Sequence, residues 1–192
     1  MRIISGTAKG RKLVGFSGKN IRPTSDRVRE AVFSSLFSQL GSFTDKSVLD
    51  LFAGTGAMAI EALSRGAQKA VLVDQGRQSE ELIGKNLATT GLAERADFRR
   101  GRVNALLPNL AASGPFDLIF IDPPYADPEI AALLQDVYRF GLLQSDGIMC
   151  VETSEKVELP AEIGDLARFE RRRYGATAIS YFRIQGSGAD LP

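Results

Sequence analysis

The sequence of 192 residues contains no histidine and a single cysteine, Cys150. Without histidine, the protein can have no Ser-His-Asp triad, no imidazole general base and no histidine-ligated metal. With one cysteine, it can form no disulfide within the chain, no CxxC redox pair, and no thiolate zinc or iron–sulfur site. Carboxylates alone could still ligate a metal, but we expect no metal centre. We place Cys150, which lies in the apolar run Ile148–Val151, in the core.

Long apolar runs are also absent. The opening residues Met1–Gly6 are too short an apolar run for a signal peptide, and no stretch approaches the ~18 apolar residues of a membrane span. The composition, with 44% hydrophobic and 24% charged residues, is ordinary for one globular domain. A chain of this length can bury roughly 70% of the surface that it exposes when unfolded. We expect a soluble cytoplasmic protein without a membrane partner.

The small net charge of +1 hides a strongly basic N-terminal segment. Residues 1–37, the basic arm, hold eight basic residues against Asp26 and Glu30, a net charge of +6, so the remainder carries −5. The eight basic residues are Arg2, Lys9, Arg11, Lys12, Lys19, Arg22, Arg27 and Arg29. Such an arm on a mildly acidic body favours a polyanionic partner, although a solvated basic face explains the charge equally well.

Between residues 47 and 152, short apolar runs alternate with helix-length segments. The runs predict strands at Ser47–Phe52, Ala70–Asp74, Asp97–Arg100, Phe116–Asp122 and Gly147–Glu152. The intervening segments predict helices at Ala57–Arg65, Gln78–Thr90, Asn104–Ala112 and Pro128–Phe140. Strands that are apolar throughout suit a sheet covered on both faces, and repeated strand–helix–strand units imply parallel strands. We expect a doubly wound, mostly parallel α/β sheet.

The two ends of the chain depart from this alternation. Near the N-terminus, Arg2–Ile4 and Lys12–Val14 predict a short hairpin, and apolar residues at helical spacing predict a helix over Val28–Leu40. Near the C-terminus, Arg168–Tyr174 and Thr177–Ile184 predict an antiparallel hairpin.

These patterns also suggest how the chain is divided. We expect a basic N-terminal extension over residues 1–40, with a hairpin and a helix that bind RNA or cover a ligand pocket. The main domain should span residues 41–186, and residues 187–192 should form a disordered tail.

A glycine loop, Asp50–Gly56, follows the first predicted strand. Its glycines allow a tight turn and a close approach to a ligand, whose anionic end can face the N-terminus of the next helix. Asp74 ends the next strand, twenty residues after Gly54, where a carboxylate can hold two ribose hydroxyls. The pattern also satisfies the dinucleotide fingerprint G-x-G-x-x-G/A, and close packing alone could require the glycines.

Asp50 separates these alternatives. A carboxylate at the top of the first strand, facing the ligand, does nothing to help bind a pyrophosphate. S-adenosylmethionine (SAM), in contrast, carries an ammonium and a sulfonium group that a carboxylate attracts. The sequence therefore favours SAM as the cofactor.

A second motif, Asp122-Pro123-Pro124-Tyr125, directly follows the apolar fourth strand. We expect it at the carboxyl edge of the sheet beside the glycine loop, where ligands of such sheets bind. Two successive prolines form a rigid extended turn without backbone donors. The Asp122 carboxylate and the Pro123 carbonyl then offer two hydrogen-bond acceptors on a stiff frame.

Two such acceptors suit the exocyclic amino group of a nucleobase. Its nitrogen is a poor nucleophile because the lone pair is delocalised into the ring. Acceptors that hold its N–H bonds favour a more tetrahedral nitrogen and aim the lone pair at an incoming methyl group. Tyr125 offers a face on which an extruded base can stack. An ordinary Pro-Pro turn after a strand is the alternative explanation.

Both motifs resemble those of known enzymes. Asp50–Gly56 resembles the first motif of SAM-dependent methyltransferases, and Asp122–Tyr125 resembles the (Asp/Asn)-Pro-Pro-(Tyr/Phe) motif of amino-methylating enzymes. Met1–Gly6, Lys9–Leu13 and Arg22–Ala31 are similar to segments of the bacterial small-subunit ribosomal RNA guanine-N2 methyltransferases, the RsmD family. The likeness covers nearly the whole chain.

The resemblance implies the seven-stranded SAM-dependent methyltransferase fold and the transfer of a methyl group to N2 of guanine 966 in 16S ribosomal RNA. The implied partner is that RNA or the assembling small ribosomal subunit. The residues implied for the cofactor are Asp50, Phe52, Ala53, Gly54, Thr55, Gly56, Asp74 and Asn104. Those implied for the target base, and so for catalysis, are Asp122, Pro123, Pro124 and Tyr125. Gly76 stands where the family often has a further acidic residue.

The basic arm gains a role from the same resemblance, since its cations can bind phosphates or cover the SAM pocket. The candidate RNA-binding residues are Lys9, Arg11, Lys12, Arg22, Arg27 and Arg29. Two other functions stay open: an adenine-N6 nucleic-acid methyltransferase, and a non-catalytic RNA-binding or assembly protein that keeps the methyltransferase fold.

Overall fold

The computed structural model describes residues 1–16, 26–124 and 129–186. Arg22, Tyr125 and the predicted tail at 187–192 lie outside the described residues. Two compact units are distinguished, Met1–Ala105 and Leu106–Pro192.

In the first unit, helices alternate with three parallel strands. The strands are β1 (Ser47–Leu51), β2 (Lys69–Asp74) and β3 (Ala96–Arg100). The helices are α1 (Asp26–Leu40), α2 (Ala57–Ser64), α3 (Arg77–Thr90) and α4 (Val103–Leu110), the last of which continues into the second unit. The strands lie in the order β3-β2-β1, and every residue of β1 is buried. Burial on both faces explains the apolar residues of β1 and of Ala70–Val73 in β2, whereas the edge strand β3 is half-buried to exposed and carries charged side chains.

The second unit begins with parallel strands and ends with antiparallel ones. Its elements are β4 (Phe116–Ile121), α5 (Ile130–Arg139), β5 (Leu143–Ser154), β6 (Glu162–Ile163), β7 (Leu166–Tyr174) and β8 (Thr177–Ile184). The strands lie in the order β4-β5-β8-β7-β6. β4 pairs with β5 in parallel, whereas β5 with β8, β8 with β7 and β7 with β6 are antiparallel.

The predicted α/β class, with parallel strands followed by an antiparallel C-terminal hairpin, is confirmed. The described residues contain eight strands instead of seven, because β6 is a two-residue strand too short to show a pattern. β5 begins at Leu143, four residues before its predicted start, since the polar residues Gln144–Asp146 interrupt the apolar run. Cys150 is buried as predicted, and burial raises the pKa of its thiol.

The predicted N-terminal hairpin is present and packs against the C-terminal end of α2. Arg2 and Lys12 form an antiparallel bridge, and the Ile3 N–H donates to the Arg11 carbonyl over 2.9 Å. The Thr7 N–H donates to the Ser64 carbonyl over 2.8 Å, so the hairpin satisfies a carbonyl that the helix end leaves unpaired.

Gly6 makes this packing possible. Its φ is +84°, and a Cβ placed on it would lie 1.8 Å from the Ser64 carbonyl oxygen. Any side chain at position 6 would therefore separate the hairpin from α2.

A buried ion pair also joins the N-terminal segment to α2. Glu61 and Arg29 are both fully buried, with the Arg29 Nε 3.7 Å from a Glu61 oxygen. The Glu61 carboxylate accepts hydrogen bonds from the Ile4 N–H over 2.8 Å, from the Ser5 N–H over 3.0 Å and from the Arg65 Nε over 2.8 Å. Hydrogen bonds to a paired carboxylate offset the desolvation of its charge. Glu61 thus fixes the base of the hairpin.

Candidate functional site

The glycine loop has the backbone conformation of a tight ligand-binding turn. Phe52, Gly54 and Gly56 have φ values of +61°, +56° and +75°, in the left-handed region that bulky residues such as Phe52 rarely adopt. The Ala53 N–H donates to the Val73 carbonyl over 3.0 Å, so the loop is tied to the end of β2. Backbone strain of this kind is concentrated at functional sites.

The two glycines of the loop are required for different reasons. A Cβ on Gly56 would lie 3.1 Å from Leu72 Cδ2 and 3.2 Å from Ile83 Cγ1, so Gly56 allows close packing of α2. A Cβ on Gly54 would meet nothing nearer than a Phe16 ring carbon at 3.6 Å. Close packing therefore accounts for Gly56 and does not account for Gly54.

Asp74, at the end of β2, organises the loop. Its carboxylate accepts hydrogen bonds from the Gly54 N–H over 2.9 Å and from the Gly76 N–H over 2.8 Å, one on each oxygen. Each oxygen has a second lone pair, so the carboxylate can also accept the two hydroxyls of a ribose. A Cβ on Gly76 would lie 2.9 Å from Ser79 Oγ and 3.1 Å from an Asp74 oxygen, which explains the glycine at this position.

Asp50 is a buried carboxylate near the end of β1, with 3% of its surface exposed. Burial raises its pKa to about 7; the Ala59 N–H, which donates to it over 3.0 Å, opposes the rise, and the nearby Asp74 charge adds to it. A cationic ligand beside Asp50 would stabilise the ionised form. This carboxylate therefore suits the ammonium group of an amino acid.

Asn104 is exposed at the start of α4, just after β3. The Gly101 N–H donates to the Asp74 carbonyl over 3.0 Å, which joins the ends of β3 and β2. The glycine loop, Asp74 and the start of α4 therefore share the carboxyl ends of neighbouring parallel strands, where α/β sheets bind ligands.

In the second unit, Asp122-Pro123-Pro124 directly follows the last residue of β4, Ile121. Asp122 and Pro124 are exposed, and Pro123 is half-buried. The first three residues of the predicted acceptor motif thus follow a buried strand directly and are accessible from solvent.

The predicted RNA-binding residues fall into two groups. Lys9, Arg11 and Lys12 are exposed on the N-terminal hairpin, and Arg27 is exposed on α1. Arg29 was predicted to contact RNA, and that prediction is wrong, because the side chain is fully buried.

The environment of Arg29 gives the physical reason. Its guanidinium pairs with Glu61 and with Asp26, at 3.0 Å from the latter, and donates to the Arg2 carbonyl. The buried residues Arg29, Val32, Phe33 and Leu36 follow the helical spacing that places them on one face of α1.

The described residues contain neither a metal-binding cluster nor a membrane-spanning helix. Over 1–16, 26–124 and 129–186, no group of three or more acidic or cysteine side chains is placed to hold a metal ion. No helix in the same residues is long and apolar enough to cross a membrane.

Two residues near the glycine loop were missed by the sequence analysis. Asn86 is fully buried on α3, and Phe16 lies against Gly54. Asn86 could have been noticed as a polar residue between Ile83 and Leu87 in the buried stripe of its helix. Phe16 lies in a segment without a clear period, and nothing local in the sequence marks it.

Comparison with known proteins identifies close relatives over almost the full length. The family model described as Conserved hypothetical protein 95 matches residues 1–183. The chain is 37% identical to the putative rRNA methyltransferase YlbH of Bacillus subtilis, covering 97% of this chain and 100% of that one. It is 30% identical to ribosomal RNA small subunit methyltransferase D of Escherichia coli K12, covering 98% and 92%.

The fold of this chain is also similar to that of a solved structure. The putative methyltransferase yhhF from Escherichia coli superimposes with a TM-score of 0.83 at 32% identity, covering 96% of this chain and 98% of that one.

Proposed function

Because the chain belongs to the Conserved hypothetical protein 95 family, the family of the ribosomal RNA small subunit methyltransferases D, we propose that it is a SAM-dependent ribosomal RNA methyltransferase. More specifically, we propose that it methylates the exocyclic N2 of guanine 966 in 16S ribosomal RNA, in the cytoplasm. The observation that carries this proposal is the presence, in one chain of this family, of the Asp50–Gly56 loop with Asp74 and of Asp122-Pro123-Pro124-Tyr125.

The residues of the glycine loop fit SAM. The buried Asp50 carboxylate can pair with its ammonium group, Gly54 leaves room for close approach, and Asp74 can accept the ribose hydroxyls. We assign Asn104, at the start of α4, to the adenine. When bound, SAM supplies a methyl group made electrophilic by the positive sulfur.

The acceptor motif would prepare the nucleophile. The Asp122 carboxylate and the Pro123 carbonyl would accept the two N–H bonds of the guanine amino group and so aim the nitrogen lone pair. Tyr125 would stack on the extruded base, a contact worth about 1–3 kcal/mol in the recognition of single strands. No metal or imidazole is needed for this role, because the residues act by orientation and electrostatics.

The proposal is tested by methyl transfer from labelled SAM to small-subunit and large-subunit ribosomal RNA, free and as particles. We expect label in the small-subunit RNA alone, recovered as N2-methylguanosine after digestion to nucleosides. Label recovered as N6-methyladenosine would overturn the choice of base. No transfer to any RNA, with normal SAM binding, would favour a non-catalytic binding protein.

The affinity for SAM should fall as the pH drops below about 7. The pKa of Asp50 is raised to about 7 in the free protein, and the carboxylate form is the one that pairs with an ammonium group. Acid therefore protonates the free protein and weakens binding, by at most about tenfold per pH unit. Calorimetric titration between about pH 5 and pH 7, where an α-amino group stays cationic, measures this dependence.

The matched variant is Asp50→Asn, which keeps the shape of the side chain and cannot ionise. It should bind SAM more weakly at about pH 7 and show a flat affinity over the same range. Equal affinity of the parent protein at both ends of the range would contradict the pairing of Asp50 with the ammonium group.

Binding to RNA should depend on salt through the exposed cations of the N-terminal hairpin. Lys9→Gln, Arg11→Gln and Lys12→Gln together should weaken RNA binding and reduce the slope of log K against log salt by up to roughly 2–3, since each phosphate contact contributes about 0.7–0.9. SAM affinity should not change. Filter binding of small-subunit RNA over a series of salt concentrations provides the slopes.

A control for this triple variant is Arg172→Gln with Arg173→Gln, two exposed cations of β7 in the second unit. This pair should leave the slope near that of the parent. If the triple variant binds RNA like the parent at every salt concentration, the three hairpin cations do not contact RNA and only face solvent.

A further inference from the structure

The buried side chain of Asn86 joins the N-terminal segment to the glycine loop. Its Oδ1 accepts a hydrogen bond from the Val14 N–H over 2.7 Å, and its Nδ2 donates to the Val14 carbonyl over 3.0 Å. Nδ2 also donates to the Thr55 carbonyl over 2.9 Å. Only one orientation of the amide satisfies all three bonds, because the two carbonyls need a donor and the N–H needs an acceptor.

Phe16 follows two residues after this fixed point and contacts the loop. Its Cε2 lies 3.6 Å from where a Cβ on Gly54 would stand, and the side chain is half-buried. Consecutive Cα atoms are about 3.8 Å apart, so fixing the backbone of Val14 keeps Phe16 within about 8 Å of it. By fixing Val14, the Asn86 amide therefore restricts where the Phe16 ring can lie.

The surroundings of Gly54 show what this ring can do. Gly54 has no side chain, and its N–H points to Asp74, the residue assigned to the ribose. A ligand that approaches Gly54 therefore meets the Asp74 carboxylate and the apolar ring of Phe16. Excluding water from a ligand's apolar surface strengthens binding and also strengthens nearby electrostatic contacts.

We propose that Phe16 forms one wall of the SAM pocket and that Asn86 is the positioning residue that holds it there. The inference rests on the proposed function, since it takes SAM as the ligand. The turn of the hairpin that carries Lys9 and Arg11 is held separately, through hydrogen bonds of Ile4 to Glu61 and of Ala8 to Ser64.

The experiment is a double-mutant cycle on SAM affinity measured by titration calorimetry. Phe16→Ala should weaken binding about tenfold, and Phe16→Leu less, because an apolar wall remains. Asn86→Asp keeps the acceptor and replaces both donor hydrogens, so it should weaken binding by a similar factor. In the Phe16→Ala background, Asn86→Asp should add little, because the two residues act through one contact.

The controls separate this role from a general loss of structure. Phe37→Ala removes an exposed aromatic side chain of α1, 55% exposed, and should leave SAM affinity unchanged. Salt-dependent RNA binding should be the same for Phe16→Ala and the parent. If Asn86→Asp does not fold, Phe16→Ala alone decides whether the ring contacts the cofactor.

Three results would overturn parts of the account separately. If Phe16→Ala binds SAM as tightly as the parent, Phe16 does not line the SAM pocket. Losses that add in the double variant would show that Asn86 does not act through Phe16. A parent protein that binds no SAM would refute the proposed function, and this inference with it.

Discussion

Asp122→Ala is expected to lower the single-turnover rate of methyl transfer a hundredfold or more, which corresponds to ~3 kcal/mol of lost transition-state stabilisation. The variant loses the carboxylate that would hold one N–H bond of the target amino group, so the nitrogen lone pair is no longer aimed. SAM affinity should barely change, because Asp50 and Asp74 remain. Transfer from labelled SAM to small-subunit RNA or particles measures the rate, and calorimetry measures the affinity.

Two variants make this test specific. Asp122→Asn keeps an oxygen acceptor and corresponds to the asparagine that the related motif also contains, so it should retain more activity than Asp122→Ala. Asp146→Ala removes an exposed carboxylate of β5 and should transfer methyl groups like the parent. If Asp122→Ala transferred methyl groups at the parent's rate, the Asp122 carboxylate would not orient the target amino group.

Glu61→Ala is expected to lower the free energy of unfolding by about 3–5 kcal/mol, the range for breaking a buried ion pair. The substitution leaves the fully buried Arg29 without the Glu61 carboxylate and removes the acceptor for the Ile4 and Ser5 N–H groups. The N-terminal hairpin should also separate from α2, so RNA binding should weaken. Urea denaturation gives the change in stability.

The control is Glu81→Ala, whose partner Arg77 is 3.5 Å away on the surface of α3, with both side chains more than half exposed. Exposed pairs contribute about 0–1 kcal/mol, so this loss should be small. If both variants lost the same stability, Glu61 would not hold the hairpin to α2.

The local pattern of the sequence predicted the parts of the fold that depend on neighbouring residues. The apolar runs of β1, β2 and β4 are buried, and their ends were placed within one residue. An aspartate ends the run of β2 and another follows β4, whereas β1 runs directly into the glycine loop. Asp50 and Asp74 were predicted on the same grounds, as carboxylates at the ends of apolar strands. The turn conformation of Gly54 follows from its position between strand and helix.

Other features depend on partners far away in the chain, and the sequence pattern could not predict them. Asn86 bonds Val14 across 72 residues, and Glu61 bonds Ile4 across 57. Both are polar residues inside apolar helical faces, which marks them as unusual without naming their partners. Arg29 shows a different failure, since a count of charges placed it on the surface although its helical spacing with Val32 and Phe33 places it in the core.

The most direct test of the central claim is a map of methylated guanines in small-subunit ribosomal RNA from cells with and without this protein. We expect one N2-methylguanine, at position 966, to disappear with the protein and to return when purified protein and SAM are added to the unmodified subunit or its RNA. An unchanged set of methylated guanines, with no methyl group accepted by that RNA, would contradict the account.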